Sequence, residues 1–488
     1  MILYLSDNRF HYELENITRL FFWKVEVRNE LPAAFPPEDS CCVSMKENGD
    51  VLRLSVSAVA DGKKAHESED IPAGTPEKET EHECSVLLFR CLSGITGKRP
   101  AFGVMTGVRP AKYTANLLAS GLTPEQTERF LQEHALVSPK KARLVRQTAE
   151  AGRTMWAKAR PRGFSLYVSV PFCPTRCSYC SFVSKSTEKE RKLIAPYLEA
   201  LGRELEETAR ITKDLGMPLQ TVYIGGGTPT VLTAEELRIL TEKVTSCFGR
   251  PLDGEYSVES GRPDTMDREK LQVLKDAGVT RICINPQTGN DEVLRRVGRR
   301  HTAADIEACY RMARDLGFNN INADFIAGLP GDDLDSFRRS MDWAIHVLDP
   351  ESITVHALTL KRASRMRESQ EEIFSPDAAA MVDHAEEVLT AAGFLPYYMY
   401  RQKGTVDSLE NTGYAKPGFE CLYNTFIMDE VQSIIACGAG SVTKLLDPAT
   451  DRIERIFDMK YPQEYLDRFD EMLSRKQTIR EFYEENGI

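Results

Sequence analysis

The stretch Ser165-Leu166-Tyr167-Val168-Ser169-Val170-Pro171-Phe172-Cys173-Pro174-Thr175-Arg176-Cys177-Ser178-Tyr179-Cys180 is the most informative in this 488-residue chain. Its first half is an apolar, β-rich run, which reads as a strand. Its second half is a C-x3-C-x2-C array in the loop just past that strand. Three thiolates so closely spaced can reach three irons of one cubane and leave the fourth iron open to a further ligand. An all-cysteine donor set also suits soft iron–sulfur chemistry. A structural zinc would want a fourth Cys or His at comparable spacing, yet the nearest histidine downstream is His301. A redox disulfide, or three packing cysteines, fits less well, since buried cysteines have no reason to crowd a loop.

Outward from this array the same rhythm continues. Apolar runs at Thr221 to Gly225, Tyr256 to Glu259, Arg281 to Asn285, Ile321 to Ile326 and Ser352 to Leu358 alternate with amphipathic stretches. These include Ala234 to Phe248, Asp267 to Ala277, Ala303 to Leu316 and Leu334 to Val347. The pattern predicts about six βα units with a parallel sheet, either an open doubly wound sheet or an incomplete barrel. Ligands then gather at the carboxyl ends of the strands. The Gly225-Gly226-Gly227 run, Glu259 and Gln287 stand at such ends, and Asp324 lies within the fifth strand.

The array, with an aromatic before its last cysteine, resembles the radical S-adenosylmethionine (SAM) motif. Val168 to Cys173, Tyr223-Ile224-Gly225-Gly226-Gly227-Thr228-Pro229-Thr230, Gln287 followed by Gly298-Arg299-Arg300-His301-Thr302, and Asn322 to Gly331 resemble the oxygen-independent coproporphyrinogen III oxidase family. Ile284-Asn285-Pro286-Gln287-Thr288 and the additional N-terminal part are most similar to its HemZ-type coproporphyrinogen dehydrogenases, over about residues 163 to 445. The resemblance implies an α/β fold: a partial (β/α)6 barrel over 158–400, an α+β accessory domain over 1–157 and a covering C-terminal segment over 401–488. It implies a [4Fe–4S] cluster on Cys173, Cys177 and Cys180. It also implies SAM contacts at Tyr167, Tyr179, Gly226, Gly227, Thr228, Glu259, Gln287, Arg299, Asp324, Ala357 and Val442.

The reaction so implied begins with an electron from an unidentified low-potential donor, which splits SAM into methionine and a 5′-deoxyadenosyl radical. That radical abstracts a hydrogen from a propionate of the tetrapyrrole coproporphyrinogen III, and two decarboxylations give protoporphyrinogen IX. Lys361, Arg362, Arg365 and Arg401 are candidate anchors for substrate carboxylates. Two departures bear on this expectation. The oxidase has a further cysteine where this chain has Phe182, and the haem-chaperone relatives carry His-Asn-x-x-Tyr-Trp where this chain reads Tyr423-Asn424-Thr425-Phe426-Ile427-Met428. A haem-binding chaperone of the same fold, with His356 as one haem-binding candidate, and another anaerobic radical SAM modification of a tetrapyrrole are the alternatives.

The rest of the chain narrows the setting. A net charge of −11 and a pI near 5.5 argue against a broad nucleic-acid-binding surface. No apolar run approaches the ~20 residues of a membrane span, and the first residues carry no secretory pattern, so a cytoplasmic location is expected. Residues 1 to about 60 alternate as strands, Asp61 to Glu83 reads as a solvated loop, and helix begins at Ser85. Thr123-Pro124-Glu125-Gln126 reads as a helix start. An amphipathic tail runs from Tyr461 to Leu473.

Overall fold

A computed structural model describes residues 1–33, 39–180, 182, 184–359, 375–402, 405 and 408–486. The chain divides into two compact units, Met1–Arg146 and Gln147–Ile488. The cut falls within the helix Pro139–Trp156, some ten residues before the expected boundary at 157.

In the first unit, strands β1 (Ile2–Leu5), β2 (Glu26–Arg28), β3 (Ser40–Asn48), β4 (Val51–Ala60) and β5 (Lys63–Pro72) form one sheet in the order β2-β1-β3-β4-β5. The helix Glu77–Thr96 and the helix His11–Arg19 supply buried residues to the same core. Strand β5 corrects the expected solvated loop. Asp61 and Gly62, both at positive φ (48° and 75°), make the two-residue turn that hairpins prefer. The strand beyond it is an edge strand with mostly exposed residues, so charges line it without cost, and Asp70 pairs with Arg53 across the ladder. Helix likewise begins earlier than expected, at Glu77 after Pro76. The start at Thr123 is a capping box with Gln126, and Pro124 opens the helix.

The second unit is built on β6 (Phe164–Val170), β7 (Phe172–Cys173), β8 (Lys185–Ser186), β9 (Leu219–Gly226), β10 (Glu255–Gly261), β11 (Arg281–Ile284), β12 (Ile321–Ala327) and β13 (Ser352–Ala357). Then follow β14 (Leu395–Arg401), β15 (Glu410–Ala415), β16 (Ser433–Cys437), β17 (Val442–Leu446) and β18 (Ile453–Phe457). The six expected strands are β6 and β9 to β13, side by side and parallel. The observed sheet is larger, with eleven strands in the order β14-β15-β13-β12-β11-β10-β9-β6-β16-β17-β18. Strand β16 is a seventh parallel strand, on β6, while β15 and β17 pair antiparallel at the two flanks.

The C-terminal segment therefore supplies strands to both flanks of the sheet, and β14, at 395–401, straddles the boundary expected at 400. It also supplies the helix Leu422–Asp429, which carries Tyr423 into a ring stack with Tyr167 of β6 and Tyr223 of β9. Glu255 caps that helix, its carboxylate accepting from the Leu422 and Tyr423 amides at 2.6 and 2.9 Å. Short helices Pro462–Asp467, Phe469–Arg475 and Gln477–Glu485 form the tail and add Tyr465, Phe469, Met472, Ile479 and Phe482 to the core under the sheet.

Candidate active site

The carboxyl ends of the parallel strands surround a cavity of about 510 Å³. All fourteen residues assigned from the resemblance line it: Cys173, Cys177 and Cys180, with Tyr167, Tyr179, Gly226, Gly227, Thr228, Glu259, Gln287, Arg299, Asp324, Ala357 and Val442. They come from seven strands and the loops beyond them, which is how a barrel assembles one site from distant sequence.

The cysteine loop begins on β7, which pairs with β8. Thr228 donates its backbone N–H to the Phe172 carbonyl at 2.7 Å, and its hydroxyl lies 3.5 Å from Cys173 Sγ. All three cysteines are free thiols. Burial pushes the Cys173 thiol up and the Cys180 thiol up to about 11, so a bound cation is what would hold them as thiolates. Among the described residues no three His, Cys, Asp or Glu side chains converge on a single ion. Ligands to separate irons of a cubane need not converge in that way, so the donor set fits a cluster better than a zinc ion.

The glycine run also has a packing job. A Cβ on Gly225 would lie 2.9 Å from the Glu259 carboxyl carbon, one on Gly226 2.7 Å from Ser169 Oγ, and one on Gly227 2.4 Å from the Phe172 carbonyl oxygen. The glycines let the end of β9 close against β6, β10 and the cluster loop, and the ligand surface follows from that closure.

Two carboxylates stand deep in the cavity with opposite tendencies. Glu259 is desolvated and close to Asp324, which together push its carboxyl up to about 7 against the Tyr223 hydroxyl that donates to it at 2.8 Å. Burial would raise Asp324 too. There His356, with Nε2 3.8 Å away, and the Asn322 amide at 2.7 Å outweigh it and hold the carboxyl below its ordinary range. Gln287 sits at φ 71°, a left-handed conformation costing about 1–3 kcal/mol for a side-chain-bearing residue. Its amide donates to the Asp324 carbonyl and its carbonyl accepts from Ile326, at 2.8 and 2.9 Å, so β12 holds the strained backbone in place. Arg299 is buried, donates Nη1 to the Asn285 carbonyl at 2.6 Å and faces Cys177 and Tyr179. Arg299 Nε and Asn285 Oδ1 are buried polar atoms without a hydrogen-bond partner, and both residues line the cavity. A polar ligand fits there.

Other expectations fall differently. Arg401 is buried and donates to the Ser408 carbonyl at 2.9 Å, with burial lowering its guanidinium to about 10, and it is not among the cavity residues. Lys361, Arg362 and Arg365 lie outside the described residues. Phe182, where the oxidase has a cysteine, is at the cavity and 67% exposed. Sequence reasoning missed Tyr223, Arg262, Asn322, Tyr398, Asn411 and Tyr423, which also line the cavity. The signals for Tyr223 and Asn322 were present, since each lies two residues from a residue already singled out on the same strand, and alternation turns such positions to one face.

A Radical SAM superfamily model matches residues 167–344. The oxygen-independent coproporphyrinogen-III oxidase-like protein HemZ of Bacillus subtilis is 34% identical over 487 residues, spanning 97% of this chain and 96% of that protein. The chain belongs to this radical SAM family. Its members use a [4Fe–4S] cluster and SAM, and these are the cofactors of this chain. Within the radical SAM superfamily it is also similar to the heme chaperone HemW of Bacillus subtilis, at 37% identity over 40% of this chain and 51% of that one. The heme chaperone HemW of Escherichia coli is 28% identical over 62% and 75%. Among solved structures, coproporphyrinogen III oxidase (HemN) from Escherichia coli superimposes with a TM-score of 0.53 at 24% identity, over 67% of this chain and 73% of that one, which supports the radical SAM fold. Among the described residues no helix is long and apolar enough to cross a membrane.

Proposed function

We propose that this chain is an oxygen-independent coproporphyrinogen III dehydrogenase, converting coproporphyrinogen III to protoporphyrinogen IX in haem biosynthesis. The observation that carries the reading is the convergence of three cysteines, two half-buried carboxylates and a strained Gln287 on one cavity, in a chain similar along its whole length to an oxidase-like relative. When bound, the cluster and SAM supply one electron and a hydrogen-abstracting 5′-deoxyadenosyl radical. Cys173, Cys177 and Cys180 would hold the cluster. Glu259 would pair with the SAM ammonium, Asp324 would take the ribose hydroxyls, and Gln287 and Arg299 would orient the remainder. Ala357 and Val442 offer backbone and apolar surface on the adenosine side. Each propionate loses one hydrogen atom, carbon dioxide and one electron, the last to an external acceptor, and becomes a vinyl group.

The haem-chaperone reading has less support. Tyr423 stands where those relatives carry a histidine, and it is buried in a ring stack 4.4 Å from Tyr223, with a phenol rather than an imidazole to offer.

The test is anaerobic: reconstituted protein, reductant, SAM and coproporphyrinogen III, with porphyrin products and 5′-deoxyadenosine followed by mass spectrometry. The expected product has lost two carboxyl groups as carbon dioxide. Deoxyadenosine without a decarboxylated product would sink the substrate assignment, and a haem-dependent Soret shift with no turnover would favour the chaperone.

Glu259 adds a pH signature. In the ligand-free chain its carboxyl holds a proton up to about pH 7, and pairing with an ammonium requires the carboxylate, so SAM binding releases a proton below that pH. SAM affinity therefore rises about tenfold per pH unit below about 7 and levels off above it. In Glu259→Gln the dependence disappears and binding is weak throughout. Calorimetric titration of the cluster-loaded protein at several pH values checks this, and an affinity independent of pH in the parent chain contradicts it.

A further inference from the structure

Immediately after Glu259 the register of β10 shifts, and Gly261, at φ 64°, turns the chain so that Arg262 points inward. Its side chain is 4% exposed. One edge of the guanidinium is clamped by a carboxylate, Nε and Nη2 donating to the two oxygens of Asp264 at 2.9 and 2.7 Å. The remaining nitrogen faces the cysteine loop. Nη1 donates to Thr175 Oγ1 at 2.9 Å and to the Thr175 carbonyl at 3.2 Å, and it stands 4.0 Å from Cys177 Sγ. Thr175 is tied in turn to the Gly298 carbonyl through its hydroxyl at 3.3 Å. Arg299 approaches Cys177 as well, so two buried cations attend this sulfur. His301 stands behind Asp264, with Nδ1 3.8 Å from its carboxylate.

We propose that Arg262 is a positioning residue that orders the Thr175 side of the cluster loop and sets the reduction potential of the cluster. The inference rests on the assignment of Cys177 as a cluster ligand. Because Asp264 occupies one edge and the loop the other, the pair is a fixed dipole with its positive end toward sulfur. Reduction adds one negative charge to the cluster, and a buried positive charge beside a ligand sulfur favours the reduced form. Water would screen an exposed arginine, whereas this side chain is only 4% exposed.

The experiment is a potentiometric titration of the reconstituted protein without SAM, followed by electron paramagnetic resonance, with iron and sulfide content measured in parallel. Arg262→Gln is expected to load its cluster and to lower the equilibrium constant for one-electron reduction about tenfold, a shift of about 59 mV to more negative potential. Asp264→Asn leaves the guanidinium uncompensated and moves the potential the other way. Opposite signs at two residues of one salt bridge are not what a loss of packing produces. If Arg262→Gln loads fully and keeps the parent potential, the proposal is overturned. If that variant fails to load, Asp264→Asn decides: a positive shift supports the proposal, and no shift or a negative one overturns it. Full iron content in Cys177→Ala would instead remove the ligand assignment beneath it.

Discussion

Replacing Cys177 by alanine abolishes cluster assembly and, with it, SAM cleavage: iron and sulfide content after anaerobic reconstitution collapse, and 5′-deoxyadenosine falls to background. The expectation follows from where the thiol sits. Cys177 is 8% exposed, between Cys173 and Cys180 on the cavity wall, and its neighbours Arg262 and Arg299 are cations, which cannot replace the lost ligand. Two cysteines cannot hold three irons, and the buried guanidiniums repel a bare metal ion. Cys309→Ala is the control. It lies in the helix Ala303–Asp315 and is not among the cavity residues, so its variant assembles the cluster normally. Equal iron content in the two variants would contradict the assignment.

The largest effect on stability is expected far from the chemistry, at Lys476. Its side chain is completely buried, 2.7 Å from the Glu204 carboxylate and 3.1 Å from that of Asp458, and both carboxylates hold the ammonium charged. Glu204 also accepts from the Gly438 amide at 2.8 Å and the Tyr465 hydroxyl at 2.5 Å, and Asp458 from Ser441 at 2.7 Å. Lys476→Met leaves two carboxylates in the core without their cation, a loss of about 3–5 kcal/mol. The melting temperature of the full chain should drop by roughly 5–15 °C. Arg238→Ala, which breaks the exposed pair with Glu235, should leave it unchanged. Because the same network anchors the turn before Val442, SAM affinity should weaken in Lys476→Met as well. A melting curve that superimposes on that of the parent would show the network to be dispensable.

Local signals in the chain specify much of this fold. The six parallel strands were readable because each is a short apolar run followed by a helical period, and both patterns repeat within a few residues. The cysteine spacing was readable for the same reason. Strand β5 was missed because an edge strand needs no apolar face, and its charged residues imitate a loop. Strand β16 was missed because its partner, β6, lies some 270 residues away, as in the pairing of Cys437 with Val168. Nothing local reports such a pairing.

The site divides along the same line. By itself the sequence determined the candidate donor atoms, the βα order and, with it, the end of the sheet where the cavity lies, since these depend on spacing and periodicity along the chain. Only the tertiary structure decided that Glu259 is poised near neutrality while Asp324 stays ionised, that the glycines of β9 serve chain closure, and that Tyr423 from a distant helix stacks inside the cavity. It alone brought Arg262 to Cys177 across 85 residues of chain. Desolvation and Coulomb interaction depend on distance through space, and that distance is set when the strands have closed around the cavity.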